Sequence, residues 1–202
     1  MANMDDRLVL LSDKNSVLAL VDFQPAMFKG VASGDKATIK RVATLVATGA
    51  QVLDIPVVLS SINPESNGQF IPEITSLFPK VEVFARKMPS FDAFEDERNW
   101  KAIAATGRKK LVIAGLWTSM CCAFSALHAV REGLTVHALV DALGDSNKDA
   151  HKYGIKRMLA AGVIPVTLEQ VTSEWMHDWN NPKAGDLVKR VYSQHGAMLG
   201  LR

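Results

Sequence analysis

The sequence predicts an α/β fold with a six-stranded, mainly parallel sheet covered by helices on both faces. Short apolar runs of strand type alternate with segments of helical spacing along most of the chain. Those runs are apolar almost throughout, as strands buried on two sides are, and do not alternate apolar with polar. Glycines stop several of the helical segments. At 202 residues the chain suits one domain with a sizeable core.

The elements follow in order. Val17 to Asp22 is a buried strand ending in a carboxylate, and a helix is predicted from Lys36 to Gln51. Pro56 to Ser60 gives the second strand and Val81 to Phe84 the third. Asp92 to Ala105 mixes apolar and charged residues at helical spacing. Lys110 to Gly115 is the fourth strand, followed by a helix that carries Cys121 and stops at Gly133. Thr135 to Asp141 is the fifth strand, Asp149 to Ala161 a helix ended by Gly162, and Val163 to Thr167 the sixth strand. Glu169 to Trp179 is helical. Residues 1–180 form the main domain. Residues 181–202 read as a tail with one more helix, about Gly185 to Gln194, docking on its own domain or on a neighbouring subunit.

Composition narrows the function. Hydrophobic residues make up 48% and charged residues 22%, an ordinary globular balance. The net charge of +2, with no arginine-rich arm, gives no electrostatic case for nucleic acid. No apolar run is long enough to span a bilayer, so no membrane partner is expected. The first residues lack a charged region leading into an apolar stretch, so no signal peptide is read there. Cys121 and Cys122 are adjacent, and a bridge between neighbours closes almost no loop. That usage suits a reducing cytoplasm.

The segment from Leu111 to Leu127 carries the sharpest signal. It begins as a strand, turns through Gly115-Leu-Trp-Thr118, and becomes a helix with Cys121 in its first turn. The positive end of the helix dipole favours a thiolate there, and free N–H groups can hold an oxyanion. In a parallel sheet, ligands bind beyond the carboxyl ends of the strands. Asp22 ends the first strand, Lys87 follows the third and Cys121 follows the fourth. A carboxylate can take the thiol proton, and an ammonium beside it keeps the carboxylate ionised and oriented. Each group alone has a bland explanation: a turn cap, a solvated lysine, a core thiol. Only their convergence points to chemistry. His128, two turns past Cys121, is about 10 Å along the axis and too far for direct proton transfer. His137, His151, His177 and His195 show no ligand spacing and read as structural or solvated. Asp141 reads as a cap or hydrogen-bonding group near the site.

The chain resembles the isochorismatase-like cysteine hydrolases, and within them the YcaC-like branch. The resemblance rests on Leu20-Val-Asp22-Phe-Gln24-Pro, on Arg86-Lys87-Met-Pro-Ser-Phe-Asp-Ala93-Phe94-Glu-Asp, and on Ile113-Ala-Gly-Leu-Trp-Thr-Ser-Met-Cys121. It extends through Glu132-Gly-Leu-Thr-Val-His-Ala-Leu-Val-Asp141-Ala and Glu174-Trp-Met-His-Asp178-Trp179, all in the family's order. The resemblance implies a Rossmann-like three-layer α/β/α sandwich, with residues 1–180 as the hydrolase domain. It implies a catalytic triad of Asp22, Lys87 and Cys121. It further implies a cis peptide bond joining Leu116 and Trp117, so that the Trp117 and Cys121 N–H groups form the oxyanion hole. Phe28, Phe94, Trp117 and Thr118 fall near the expected mouth as substrate-pocket residues. The resemblance also implies a homo-oligomer, with an octamer as one form.

Two departures refine the chemistry. Nicotinamidase-type relatives hold a metal with an Asp-x-His pair after the second strand, where this chain has Ser60-Ser-Ile-Asn63. No metal and no other cofactor are therefore expected. Isochorismate-cleaving members lack the cysteine, so Cys121 points to acyl chemistry. The favoured function is hydrolysis of a small amide or related acyl C–N bond through a Cys121 thioester. A thiol redox or peroxide-sensing protein using Cys121 with Cys122, and a catalytically idle oligomeric scaffold, are the alternatives. Cys122 by itself reads as a buried, inert thiol.

Overall fold

In a computed structural model of the chain, residues 6–86 and 90–195 are described here. The sheet has six strands: β1 (Ser16–Val21), β2 (Val57–Ser61), β3 (Val83–Ala85), β4 (Lys110–Leu116), β5 (Thr135–Gly144) and β6 (Ile164–Val166). Their order is β3-β2-β1-β4-β5-β6 and every neighbouring pair is parallel. The order reverses between β1 and β4. A parallel sheet with that reversal opens a crevice beyond the carboxyl ends of those two strands.

The helices are α1 (Pro25–Gly30), α2 (Lys36–Val52), α3 (Pro64–Asn67), α4 (Pro72–Thr75), α5 (Glu97–Ala104), α6 (Ala123–Arg131), α7 (Lys148–Ala160), α8 (Leu168–Met176) and α9 (Ala184–Leu187). Alternate residues of β1 feed two cores, because successive side chains on a strand point to opposite faces. Leu18 and Leu20 join α2, α8 and the tail on one face. Val17, Ala19 and Val21 join α5, α6 and α7 on the other. The result is a three-layer α/β/α sandwich.

Local chemistry explains most boundaries. Asp35 caps α2 by accepting from the Thr38 N–H at 2.8 Å, and Asn147 caps α7 through Ala150 at 2.8 Å. Thr167 and Gln170 form a reciprocal capping box on α8. The single helix expected over 92–105 is divided into a 3-10 turn, Ala93–Glu95, and α5. Asp96 makes the break, being extended and accepting from the Arg98 N–H at 3.1 Å. Strand β5 continues past Asp141 to Gly144, because a register shift at Ile113/Gly115 lets Gly115 and Leu116 pair with Leu143 and Gly144. Residues 184–195 are helical, and Leu187, Val191 and Tyr192 are buried against the core that contains α2 and α8. Among the described residues, no helix is long and apolar enough to cross a membrane.

Gly154 sets how closely α7 approaches the turn that carries Cys121. A Cβ at Gly154 would lie 2.8 Å from the Ser119 Cα and 2.9 Å from its N. Alanine favours a helix interior over glycine by about 1 kcal/mol, but overpacking a rigid contact costs about 1–3 kcal/mol. Gly154→Ala is therefore expected to lower the urea midpoint. Gly185→Ala in α9, where a Cβ meets nothing within 4 Å, should leave the midpoint unchanged or raise it.

His137 in β5 is 3% exposed and its Nδ1 has no partner. Burial, with Lys110 nearby, lowers its pKa to about 4 from 6.5. On acidification the unfolded chain takes up this proton first, so stability falls as pH drops from 6.5 towards 4. The loss is at most about 3 kcal/mol. His137→Leu should flatten that part of the stability–pH curve in urea titrations run from pH 7 to pH 4.

Candidate active site

Asp22 is the first residue past β1. Its backbone turns into the left-handed region, φ 59°, which aspartate tolerates better than most side chains. The turn is held by the Asp22 N–H donating to the Ser60 carbonyl at 2.8 Å, and by the Gln24 N–H donating to the Asp22 carbonyl at 2.8 Å. The carboxylate is thereby fixed at the end of the sheet, beside the crevice, and is fully buried.

Its partner is Arg86, a residue not singled out from sequence. Nη1 donates to Oδ1 at 2.9 Å and Nη2 to Oδ2 at 2.8 Å, so the ion pair is bidentate. Nη1 also donates to the Ser60 hydroxyl at 3.0 Å. Nη2 lies 3.8 Å from the Cys121 sulfur. Lys87, expected in this place, lies outside the described residues. The signal for Arg86 was available in the strand alternation. Phe84 packs into the same core as Cys121, and Arg86, two residues on, shares that face while its N–H still bonds to the Ser61 carbonyl at 2.9 Å.

Cys121 follows β4. The Leu116–Trp117 peptide is cis, as the resemblance implied. A π-type turn, Thr118–Cys122, then leads into α6, so Cys121 precedes the α-helix proper and does not sit in its first turn. The Asp22 carboxylate and the Trp117 backbone N–H both lie close enough to the Cys121 sulfur to act on its titration. Gly115 permits the close approach of β4 to β1, since a Cβ there would lie 2.6 Å from the Val21 carbonyl oxygen. Asp145, fully buried, accepts from the Ser119 N–H at 2.7 Å and the Ser146 N–H at 2.7 Å. Its backbone carbonyl accepts from Ala32 and Ser33. It thus ties the cysteine turn to the loop between α1 and α2. Asp141, expected as a cap or hydrogen-bonding group, serves the start of α8, accepting from the Leu168 N–H at 3.0 Å.

Electrostatics modify the helix-dipole argument. Burial, then the neighbouring Asp22 charge, push the Cys121 pKa upward, while Arg86 and the Trp117 N–H pull it down without prevailing. Burial also raises Asp22, against the opposing pull of Arg86. The resting sulfur is therefore a thiol, not the thiolate expected from its place in the chain. It faces a carboxylate that is more basic than an ordinary aspartate. Cys122 is completely buried, and burial raises its thiol as well.

Of the expected pocket residues, Phe28 and Trp117 lie on one face of the sheet and Phe94 on the other. Phe28 and Trp117 pack on the core under α2. The Trp117 indole donates to the Met27 carbonyl at 3.1 Å and lies against Gly30. Phe28 lines a cavity of about 500 Å³ with Pro25, Ile71, Pro72 and Lys40. Phe94 is buried on the opposite face, packed on Trp100 and His128. Thr118 is buried beside the nucleophile turn with its hydroxyl 2.9 Å from His151 Nδ1. His128 bonds to Asp92, its Nδ1 2.8 Å from Oδ2, and takes no part at the sulfur.

Residues 16–170 match the Isochorismatase domain. The chain belongs to the isochorismatase family. It is 33% identical over 195 residues to the probable hydrolase YcaC of Escherichia coli, covering 95% of this chain and 86% of that protein. The crystal structure of the Escherichia coli YcaC gene product, described as an octameric hydrolase of unknown specificity, superposes with a TM-score of 0.87. It is 30% identical, over 93% of this chain and 91% of that one. YcaC from Pseudomonas aeruginosa, solved with hexane-2,5-diol and covalent acrylamide, also gives a TM-score of 0.87. It is 28% identical, over 94% of this chain and 95% of that one. Family membership makes this an isochorismatase-like hydrolase.

Leaving Asp22 buried without its guanidinium removes the main compensation for a desolvated charge. Such losses cost about 3–5 kcal/mol. Arg86→Leu is expected to lose that much at neutral pH in denaturant titrations. The double variant Arg86→Leu/Asp22→Asn should recover a large part, because no unpaired carboxylate remains.

Proposed function

We propose that this isochorismatase-like hydrolase is a cysteine-dependent amidohydrolase acting on a small amide or related acyl compound. The observation that carries the reading is the arrangement at the sheet switch point. A buried carboxylate is gripped by a guanidinium, and that guanidinium lies 3.8 Å from the sulfur. The covalent acrylamide in the Pseudomonas aeruginosa relative supports a reactive nucleophile and a small-amide ligand on this scaffold. In this reading Cys121 is the nucleophile and Asp22 the base. Arg86 supplies the positive charge that sequence reasoning gave to Lys87.

The reaction runs in two halves. Asp22 takes the Cys121 proton as the sulfur attacks the carbonyl carbon, so no free thiolate accumulates. The Trp117 and Cys121 N–H groups hold the tetrahedral oxyanion. Asp22 then passes its proton to the leaving amine, and a thioester remains. Water, deprotonated by Asp22, attacks the thioester and releases the acid and the free thiol. Arg86 stays protonated throughout and keeps the carboxylate in place. No metal or cofactor is required by these steps. The octameric relative supports a homo-oligomer here, and the two free thiols suit a cytoplasmic setting.

Ammonia release from a panel of small amides tests the reading. Cys121→Ala should reduce turnover on the order of 10³-fold or more, while Cys122→Ala should retain most of it. Turnover that survives Cys121→Ala would show the assignment to be wrong. Sulfenic acid at Cys121 without amide turnover would favour the redox alternative, and inertness in both assays the idle scaffold.

A further inference from the structure

One face of α6 makes contacts that the hydrolase reading leaves unused. Ser125 is one turn past Cys121 and fully buried. Its hydroxyl donates to the Cys121 carbonyl at 2.7 Å and accepts from the Ala93 N–H at 2.8 Å. Both capacities of the hydroxyl are thus spent joining the nucleophile's turn to the segment over 92–95. A turn further on, His128 repeats the link through Asp92, Nδ1 to Oδ2 2.8 Å. The same segment continues to Arg98, which is locked to Asp96 by Nε at 3.0 Å and Nη2 at 2.7 Å. Arg98 Nη2 also donates to the Ala85 carbonyl at 2.6 Å. Ala85 is the residue before Arg86, and Arg86 reaches back to Asp22 and Cys121.

These contacts close a ring. It runs from Cys121 through Ser125, Ala93, Arg98 and Ala85 to Arg86 and returns to the sulfur. We propose that Ser125 and Arg98 are positioning residues that hold Arg86 at its working distance from Asp22 and Cys121. Neither touches the reacting atoms. β3 is three residues long and pairs on one side only, at the edge of the sheet. Pairing to β2 alone gives the Arg86 backbone little lateral support, and the Arg98 bond to Ala85 supplies it. At the other end, Ser125 fixes the bracing segment to the helix that carries the nucleophile. The guanidinium and the sulfur are thereby referenced to the same element.

The inference uses the hydrolase reading only in taking Cys121 as the nucleophile, and its test does not depend on turnover. The rate of Cys121 alkylation by iodoacetamide is measured across a range of pH, with the modified cysteine identified by peptide mass spectrometry. The parent, Ser125→Ala, Arg98→Gln and the double variant are compared. Ser125→Ala is nearly isosteric and Arg98 is partly exposed, with 36% of its side chain accessible, so both variants are expected to fold. Each single variant should move the profile to higher pH and slow labelling near pH 8 by about three- to tenfold, as the thiol loses part of the guanidinium's help. Opening a ring once releases it, so the double variant should move the profile little further than either single one. An unchanged profile, additive shifts in the double variant, or a parent whose Cys121 resists labelling throughout would each overturn the proposal. Loss of ammonia release in Cys121→Ala tests the hydrolase reading separately.

Discussion

The buried pair of Asp22 and Arg86 is the constraint on which the rest of the site depends. Neither charge is tolerable alone in that position. Together they are compensated by two parallel hydrogen bonds and by the Ser60 hydroxyl, with the Cys121 sulfur 3.8 Å from the guanidinium. Meeting those demands fixes three strand ends at once: β1 through Asp22, β2 through Ser60 and β3 through Arg86. It also leaves the carboxylate with one natural proton donor, the sulfur after β4. A bidentate fork suits this better than a point charge, because it sets the orientation of the carboxylate as well as its charge.

The surroundings of Cys121 follow from that pairing. A cysteine near a helix start is commonly read as an activated thiolate. Here desolvation and the adjacent carboxylate outweigh the guanidinium and the backbone N–H of Trp117. A carboxylate with raised pKa thus stands beside a protonated sulfur. In the proposed reaction this keeps the thiol quiet until a carbonyl is placed, and makes the geometry of Asp22 and Arg86 more important than the intrinsic acidity of the thiol. The surrounding packing serves the same end. Gly115 lets β4 approach β1, while Gly154 and Asp145 let α7 and the turn after β5 close on the Thr118–Cys122 turn.

Much of the fold was legible because its signals are local. Apolar runs gave the strands and glycines gave several helix ends. Asp22 was legible because it directly follows a strand, and Cys121 because it lies in the turn after one. Arg86 carried no signal of its own as a residue type, and only counting alternation from Phe84 puts it on the face of Cys121. The break at Asp96, the extension of β5 to Gly144 and the capping role of Asp145 were hidden for a different reason. Each depends on a partner distant in sequence or on a register shift between strands.

The sequence by itself determined the α/β class, the sites of the strands, and two of the groups at their carboxyl ends. Apolar period and strand-terminal position are properties of short stretches of chain, which is why they could be read. Only the tertiary structure decided that Arg86 meets the carboxylate of Asp22 and that burial raises the thiol of Cys121. Those outcomes are set by desolvation and by hydrogen bonds between residues distant in sequence, such as Asp22 and Arg86, whose separation is 64. Such energies come into being only when the sheet has closed and water has left.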